Sequence, residues 1–364
     1  MQAVAVHTSM TVPVENGRST ITMLPDKSYV MHDVEVANGR EAGAFDDVSA
    51  LPVRPRRFDP QGELTGRLVV PFIGGLGDAI AVLPMLASLR QQHRPLRIDV
   101  ATTPGPAEVF SLAPCVNRVV SYPLAVDDWK AYDHYLCLEI VQQTEQAPGR
   151  PLPQVFADAL GIELIEKVIR LKLPQVAKAA AEPSAVPLVG IAVGEGRSLR
   201  SYPQAMLTEL VGLLVRQGLG CVLLGHADPA WNIPVRPPII TDMRSRTPTV
   251  LELAVWLRAV DVVVCHDSFV MHLAGAMGRP AVGLFAPTSR AHASPYRNAV
   301  SIQAAAECSP CHAAGSTCPR GFDRCIAWDD DAVRATAVAD SVFDRLNRQG
   351  RQMPGKDLGI AIAL

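Results

Sequence analysis

The sequence predicts an α/β protein: two doubly wound, Rossmann-like domains facing each other across a cleft, behind a small β-rich N-terminal extension. Three observations predict it. From Arg67 onward, apolar strand-like runs alternate with helix-like runs, and from Leu188 the alternation starts again. Between the two sets lies QVAKAAAEPSAVP, residues 175–187, poor in large apolar side chains and holding two prolines. Such alternation calls for a parallel sheet covered by helices on both faces. The expected divisions are an extension over 1–66, a first α/β domain over 67–174, a linker over 175–187, a second α/β domain over 188–330, and a helix and tail over 331–364.

At 364 residues and 48% hydrophobic, the chain can bury two cores. A formal net charge of −2 has neither the size nor the sign that phosphate-backbone binding needs, which argues against nucleic acid as a partner. No apolar run reaches the length of a membrane span, and the N-terminus lacks the charged and apolar regions of a secretory signal, so a cytoplasmic protein is expected.

In the extension, TVPVE, STITM and YVMHDVEV read as short strands separated by Asn16-Gly17, Pro25-Asp26 and Asn38-Gly39 turns. LPVRPRRFDPQGE then reads as a solvated linker, or as a basic contact to an anionic acceptor. The first α/β set is the strand RLVVPF, the loop IGGLG, the helix DAIAVLPMLASLRQQ and the strand LRIDVAT, with NRVVSY and YDHYLCLEI as further strands and PQVFADALGIE as a helix. Pro84 is expected to kink the first helix or to end its first turn. The second set comprises the strand LVGIAVG, the loop EGRSLRSYP, the helix QAMLTELVGLLVRQG, the strand CVLLGHA and the helix TVLELAVWLRAV, with an amphipathic helix near the C-terminus.

The stretch Asp261 to Ser289 is the most informative. A β-branched run, Val262 to Val264, breaks at His266-Asp267-Ser268; a helix-like segment follows, and a second apolar run spans Ala281 to Phe285. Ser268, or Asp267 before it, is a good helix N-cap, so unpaired N–H groups and the positive end of a helix dipole would lie at the carboxyl end of a buried strand. Anions, phosphate above all, bind there. His272 falls one turn after Ser268 and returns to the same face, as a ligand contact or as a satisfied buried histidine. Glu195, Arg197 and Arg200 follow another strand's carboxyl end, where doubly wound sheets bind ligands and an arginine gains charge-assisted bonds to phosphate.

Gly74, Gly75 and Gly77 would let a backbone approach a ligand, but they make no dinucleotide fingerprint, because Ile80 stands at the third glycine position and Asp99 lies mid-strand. Asp78, at the start of the following helix, reads as a helix-start carboxylate or as a general base taking a hydroxyl proton. Cys308, Cys311, Cys318 and Cys325, spaced C-x2-C-x6-C-x6-C among prolines and glycines, can close around one tetrahedral zinc or iron ion, the alternative being four reduced thiols. Such a site is coordinatively full and structural.

GGLGDAIAVLPML, EGRSLRSYP and HDSFVMHLAGAMGRPAVGLFAPT together resemble the three signature regions of glycosyltransferase family 9, the bacterial ADP-heptose heptosyltransferases. The resemblance implies a GT-B fold and inverting transfer without a catalytic metal, from an ADP-sugar held mainly by the second domain. It implies that Asp78 is the catalytic aspartate and that Asp267, Ser268 and His272 form the donor motif, with Phe269 where the family has a small glycine and Arg200 where it commonly has lysine. Glu195 falls on the same donor loop. Relatives that heptosylate autotransporter proteins carry an iron-bearing finger and an added N-terminal β domain, which residues 1–66 and the cysteine cluster match in outline. The partners so implied are a nucleotide-sugar donor and a saccharide or protein acceptor. Peripheral contact at the inner face of the inner membrane and an oligomer are both compatible with it. The competing reading is a catalytically silent nucleotide-sugar-binding or assembly protein of the same fold.

Overall fold

The computed structural model describes residues 1–6, 10–14, 19–23, 27–41, 47–49, 55–59, 62, 64–138, 149–173, 186–192, 199–225, 233, 239–293, 296–313 and 317–351. The chain divides into two compact units: Met1–Ala147 with Leu152–Leu171, and Pro148–Pro151 with Lys172–Leu364. The expected linker lies almost wholly outside the described residues, as do Glu195, Arg197 and the tail from residue 352.

In the first unit, β1 (Gln2–Val6), β2 (Met10–Val14), β3 (Ser19–Met23), β4 (Lys27–Met31) and β5 (Asp47–Ser49) belong to the N-terminal extension. β2 and β3 pair antiparallel, Met10 opposite Met23 and Val14 opposite Ser19. One expectation fails here: YVMHDVEV is not a single strand. β4 ends at Met31, and α1 spans Asp33–Glu41. Asp33 and Glu35 in its first turn and Arg40 in its last complement the helix dipole, which outweighs the period-2 pattern of Val34 and Val36.

β6 (Arg56–Arg57), β7 (Arg67–Phe72), β8 (Arg97–Thr102), β9 (Arg118–Ser121), β10 (Leu124–Ala125) and β11 (His134–Tyr135) complete the unit. Five of them form a parallel sheet in the order β6-β11-β7-β8-β9. The Arg/Pro-rich connector therefore supplies an edge strand rather than only a linker. β10 leaves this sheet and pairs with β4, making the four-stranded antiparallel sheet β10-β4-β1-β5. Two clusters fasten the extension to the α/β core. Val30 packs with Val69, Ala101, Leu124 and Trp129, while Val4, Met23, Tyr29, Met31, Val36 and Tyr122 gather with Ile73, the residue before the glycine loop.

The long helix α2 (Leu76–Gln92) continues through Pro84 without ending there. Pro84 is buried, and its carbonyl accepts a 2.9 Å bond from Ser88 Oγ. α3 (Pro104–Ser111), α4 (Val126–Trp129) and α5 (Leu152–Ala159) follow.

The second unit is a six-stranded parallel sheet of β12 (Leu188–Ala192), β13 (Gly220–Leu223), β14 (Ile240–Asp242), β15 (Val262–His266), β16 (Ala281–Phe285) and β17 (Ala299–Gln303). Their order, β14-β13-β12-β15-β16-β17, is the doubly wound 3-2-1-4-5-6 arrangement. Every residue of β15 and β16 is buried, as a strand covered on both faces requires. α6 (Gln204–Arg216), α7 (Val250–Ala259), α8 (Phe269–Ala276), α9 (Arg290–Ala293) and α10 (Ala335–Arg348) complete it. α7 opens with a reciprocal Thr249–Glu252 capping box, and α10 lays Val338, Val342 and Leu346 on the core. Among the described residues no helix is long and apolar enough to cross a membrane.

Candidate active site

Sheet order puts the ligand-binding crevice of a doubly wound unit where the winding reverses, outside the carboxyl ends of the strands. In the second unit that point lies between β12 and β15, and Arg200, Asp267, Ser268 and His272 lie beside it. β15 ends at His266, whose ring Nδ1 lies 3.4 Å from the carbonyl of Ala192, the last residue of β12. Burial pushes the His266 imidazole down to about 4, against the opposing pull of the Asp267 carboxylate, so it is neutral near pH 7.

Asp267 is buried, and its Oδ2 accepts from Arg200 Nη1 at 3.4 Å. Burial alone would raise this carboxyl; the opposing influences, led by the Arg200 guanidinium, outweigh it and hold Asp267 below the usual carboxylate range. Arg200 is thus set beside the end of β15.

Ser268 occupies the N-cap position of α8 in extended conformation, yet its side chain does not cap. Its hydroxyl oxygen is buried and has no hydrogen-bond partner among the described residues. A buried hydroxyl beside open helix N–H groups suits a ligand oxygen. Phe269 is the first residue of the helix and is half-buried. His272 is buried one turn on, its Nδ1 lying 2.8 Å from the hydroxyl of Tyr296.

In the first unit the glycine loop follows β7, again beside the reversal of strand order, between β7 and β11. Helix α2 starts at Leu76, so Asp78 is its third residue rather than its first. The Asp78 Oδ2 accepts from the Gly75 N–H at 3.0 Å, a cap that fixes the carboxylate. A Cβ on Gly75 would lie 3.2 Å from that oxygen, and one on Gly74 would lie 3.0 Å from the ring of Phe72. The glycines clear space for Phe72 and Asp78. Asp99, buried in β8, accepts from Arg67 Nη2 at 3.0 Å and Tyr132 Oη at 3.2 Å, so this acidic residue is committed within the fold.

Cys308, Cys311, Cys318 and Cys325 all line one cavity of about 250 Å³, together with Leu199, Ala286 and Pro287. Burial raises the Cys325 thiol, and the other three cysteines add to the rise. All eight cysteines are free thiols, and among the described residues no group of three or more His, Cys, Asp or Glu already stands arranged to hold a metal ion. The cluster touches the site's scaffold at two points. Trp328 Nε1 donates to the carbonyl of Leu199, next to Arg200, and Ser309 Oγ donates to the carbonyl of Ala286, just beyond β16.

A sequence model of glycosyltransferase family 9 (heptosyltransferase) matches residues 152–320, a span that includes Arg200, the Asp267–His272 motif and the first two cysteines of the cluster with Cys318. Through this segment the chain is similar to glycosyltransferase family 9. Lipooligosaccharide heptosyltransferase 2 of Haemophilus influenzae is 27% identical over 124 residues, which cover 32% of this chain and only 36% of that relative. The E. coli ADP-heptose lipopolysaccharide heptosyltransferase II superposes with a TM-score of 0.59 at 16% identity, over 78% of this chain and all of that one. The dodecameric iron-containing heptosyltransferase TibC of enterotoxigenic E. coli, solved with ADP-D-β-D-heptose, gives 0.59 at 12% identity over 96% of this chain and 91% of its own. At these identities the likeness is one of fold, the GT-B fold of glycosyltransferases. The longer match to TibC includes most of the region before Arg67, which the other match leaves room to exclude.

His266 and Tyr296 were not legible as site residues. His266 opens the motif, but its place at the end of a strand gave it no role of its own. Tyr296 lies 24 residues beyond His272, on the far side of β16.

Proposed function

We propose that this protein is an inverting glycosyltransferase moving a heptose, or a related sugar, from ADP-heptose to a hydroxyl on lipopolysaccharide core or on a protein such as an autotransporter. The observation that carries the reading is the end of β15: a buried Ser268 hydroxyl at a helix N-terminus, without a hydrogen-bond partner among the described residues, with Arg200 and His272 beside Asp267. Such a site suits the diphosphate of a nucleotide-sugar.

In this reading Asp78, oriented by the Gly75 N–H, takes the proton of the acceptor hydroxyl. The oxygen attacks the anomeric carbon on the face opposite the diphosphate; the bond to the diphosphate oxygen breaks, and ADP leaves with that electron pair. Arg200 and the N–H groups at Ser268 and Phe269 stabilise the charge growing on the departing phosphate. Glu195 belongs to the same donor loop by sequence. No metal takes part in these steps.

The four cysteines sharing one cavity fit a tetrahedral zinc or iron ion by ligand chemistry, and such an ion would cross-link the finger beneath Leu199. The finger and the N-terminal extension favour the protein-acceptor subgroup. The same reading puts the enzyme in the cytoplasm, at the inner face of the inner membrane for a lipid-borne acceptor, and is compatible with an oligomer. A second reading, a silent nucleotide-sugar-binding protein, is favoured by Phe269, whose side chain stands at the helix N-terminus in place of a glycine.

Asp78→Asn tests the assignment, because its amide oxygen can still accept from the Gly75 N–H. Turnover with ADP-heptose should fall by at least about 10²-fold while calorimetric ADP affinity changes less than about twofold. Comparable turnover in the variant would overturn the role of Asp78. Binding of ADP-heptose without turnover in the parent protein would favour the silent reading.

A further inference from the structure

His272 has a second neighbour besides the Asp267–Ser268 turn. Tyr296, in the chain between α9 and β17, reaches the back of its ring, with the phenolic oxygen 2.8 Å from Nδ1 and the two rings edge to face at 5.8 Å. Gly275, one turn after Met271 on α8, makes this approach feasible. A Cβ there would fall 2.2–2.5 Å from atoms of the Tyr296 ring, closer than any side chain tolerates. The glycine inside a helix costs roughly 1 kcal/mol relative to alanine, and here it admits the tyrosine.

The phenol is fully buried, and burial pushes its pKa up, so it keeps its proton. It has one hydrogen to donate, and among the described residues its one hydrogen-bond partner is His272 Nδ1. If Nδ1 carried a proton, in the neutral ring or in the imidazolium, the phenol could only accept. Its own hydrogen would then be buried without an acceptor there, at a cost of about 1–3 kcal/mol. The arrangement with every hydrogen used has the phenol donating to a bare Nδ1, with the ring's proton on Nε2.

We infer that Tyr296 is a positioning residue of the donor site: by donating to Nδ1 it keeps His272 neutral with its proton on Nε2. His272 then serves as a hydrogen-bond donor toward the anion site on the Ser268 face of α8, while Arg200 supplies the positive charge. The assignment of the acceptor of the Nε2–H bond, a diphosphate oxygen, rests on the glycosyltransferase reading; the tautomer does not.

The test is ¹⁵N NMR of histidine-labelled full-length protein, with His272 assigned by its loss in His272→Gln. Wild type should show Nε2 protonated and Nδ1 bare, with the Nδ1 resonance displaced by an accepted hydrogen bond. Tyr296→Phe, which keeps the ring over Gly275, should move Nδ1 to the unbonded position and let the other tautomer appear. Gly275→Ala should do the same by pushing the ring away, and reads the proposal if the phenylalanine variant does not fold. With donor sugar, kcat should drop about 10-fold in Tyr296→Phe with donor KM nearly constant. A proton on Nδ1 in wild type, or an unmoved Nδ1 resonance in the variants, overturns the inference. Absence of turnover with any nucleotide-sugar would instead count against the function while leaving the tautomer measurement standing.

Discussion

Arg200 Nη1 donates to Asp267 Oδ2 across 3.4 Å, and this bond ties the loop after β12 to the end of β15 on either side of the reversal in strand order. The guanidinium is 35% exposed and the carboxylate side chain 10%, so the pair presents a cation to solvent on a buried anion.

Removing the cation therefore has two effects of different size. In Arg200→Ala the stability loss should be about 1 kcal/mol, because water screens the exposed partner. ADP affinity should fall about 10–100-fold as a charge-assisted bond to phosphate disappears. Arg200→Lys keeps the charge without the planar fork and should fall between. Thermal melts and calorimetry separate the two effects, and full ADP affinity in the alanine variant would remove Arg200 from the donor site.

Gly75 has an ordinary extended conformation, φ −71° and ψ 166°, so alanine there is not strained by its backbone. Its cost is spatial: the new Cβ would lie 3.2 Å from Asp78 Oδ2 and displace the carboxylate. Gly75→Ala should lower kcat about 10-fold or more while ADP affinity and melting temperature stay nearly constant. An unchanged kcat would mean that the position of Asp78 does not limit the reaction.

His266 gives the second unit a defined acid sensitivity. Its folded-state pKa is depressed to about 4, so the unfolded chain binds the proton more readily. The stabilisation is complete above the unfolded value, about 6.5, and is lost progressively as pH falls from there to the folded value. The loss should reach at most about 3 kcal/mol. Denaturant melts between pH 7 and pH 4 should show it, and His266→Gln should flatten the profile across that window.

The parts of the fold legible in the sequence are those where burial on both faces forces a composition. Val262 to Val264 and Ala281 to Phe285 are apolar throughout because they are central strands. Short pieces escaped that logic. β6 is two arginines, β14 is three residues at a sheet edge, and α1 carries a valine alternation that its end charges override. Asp267, Ser268 and His272 lie within one strand end and one helical turn, which is why their proximity was legible in the sequence. Tyr296 was invisible because its contact is made through the tertiary fold, and only the clearance above Gly275 betrays it.

The cysteine cluster makes the last prediction. Its four thiols share a cavity with Leu199, and Trp328 holds the Leu199 carbonyl at 3.0 Å, one residue from Arg200. If an ion closes the thiols, they would bind as thiolates at about 2.3 Å, drawing the finger together beneath that loop. Purified protein should then contain one zinc or iron per chain by elemental analysis. Chelation, or Cys311→Ser with Cys318→Ser, should release it, lower the melting temperature by several degrees and weaken ADP binding through the loosened Arg200 loop. The double variant spares Cys325, which is packed in the core, so the loss would not come from a cavity there. Purified protein that holds no metal, and whose melting temperature and ADP affinity a chelator leaves unchanged, would overturn the metal site.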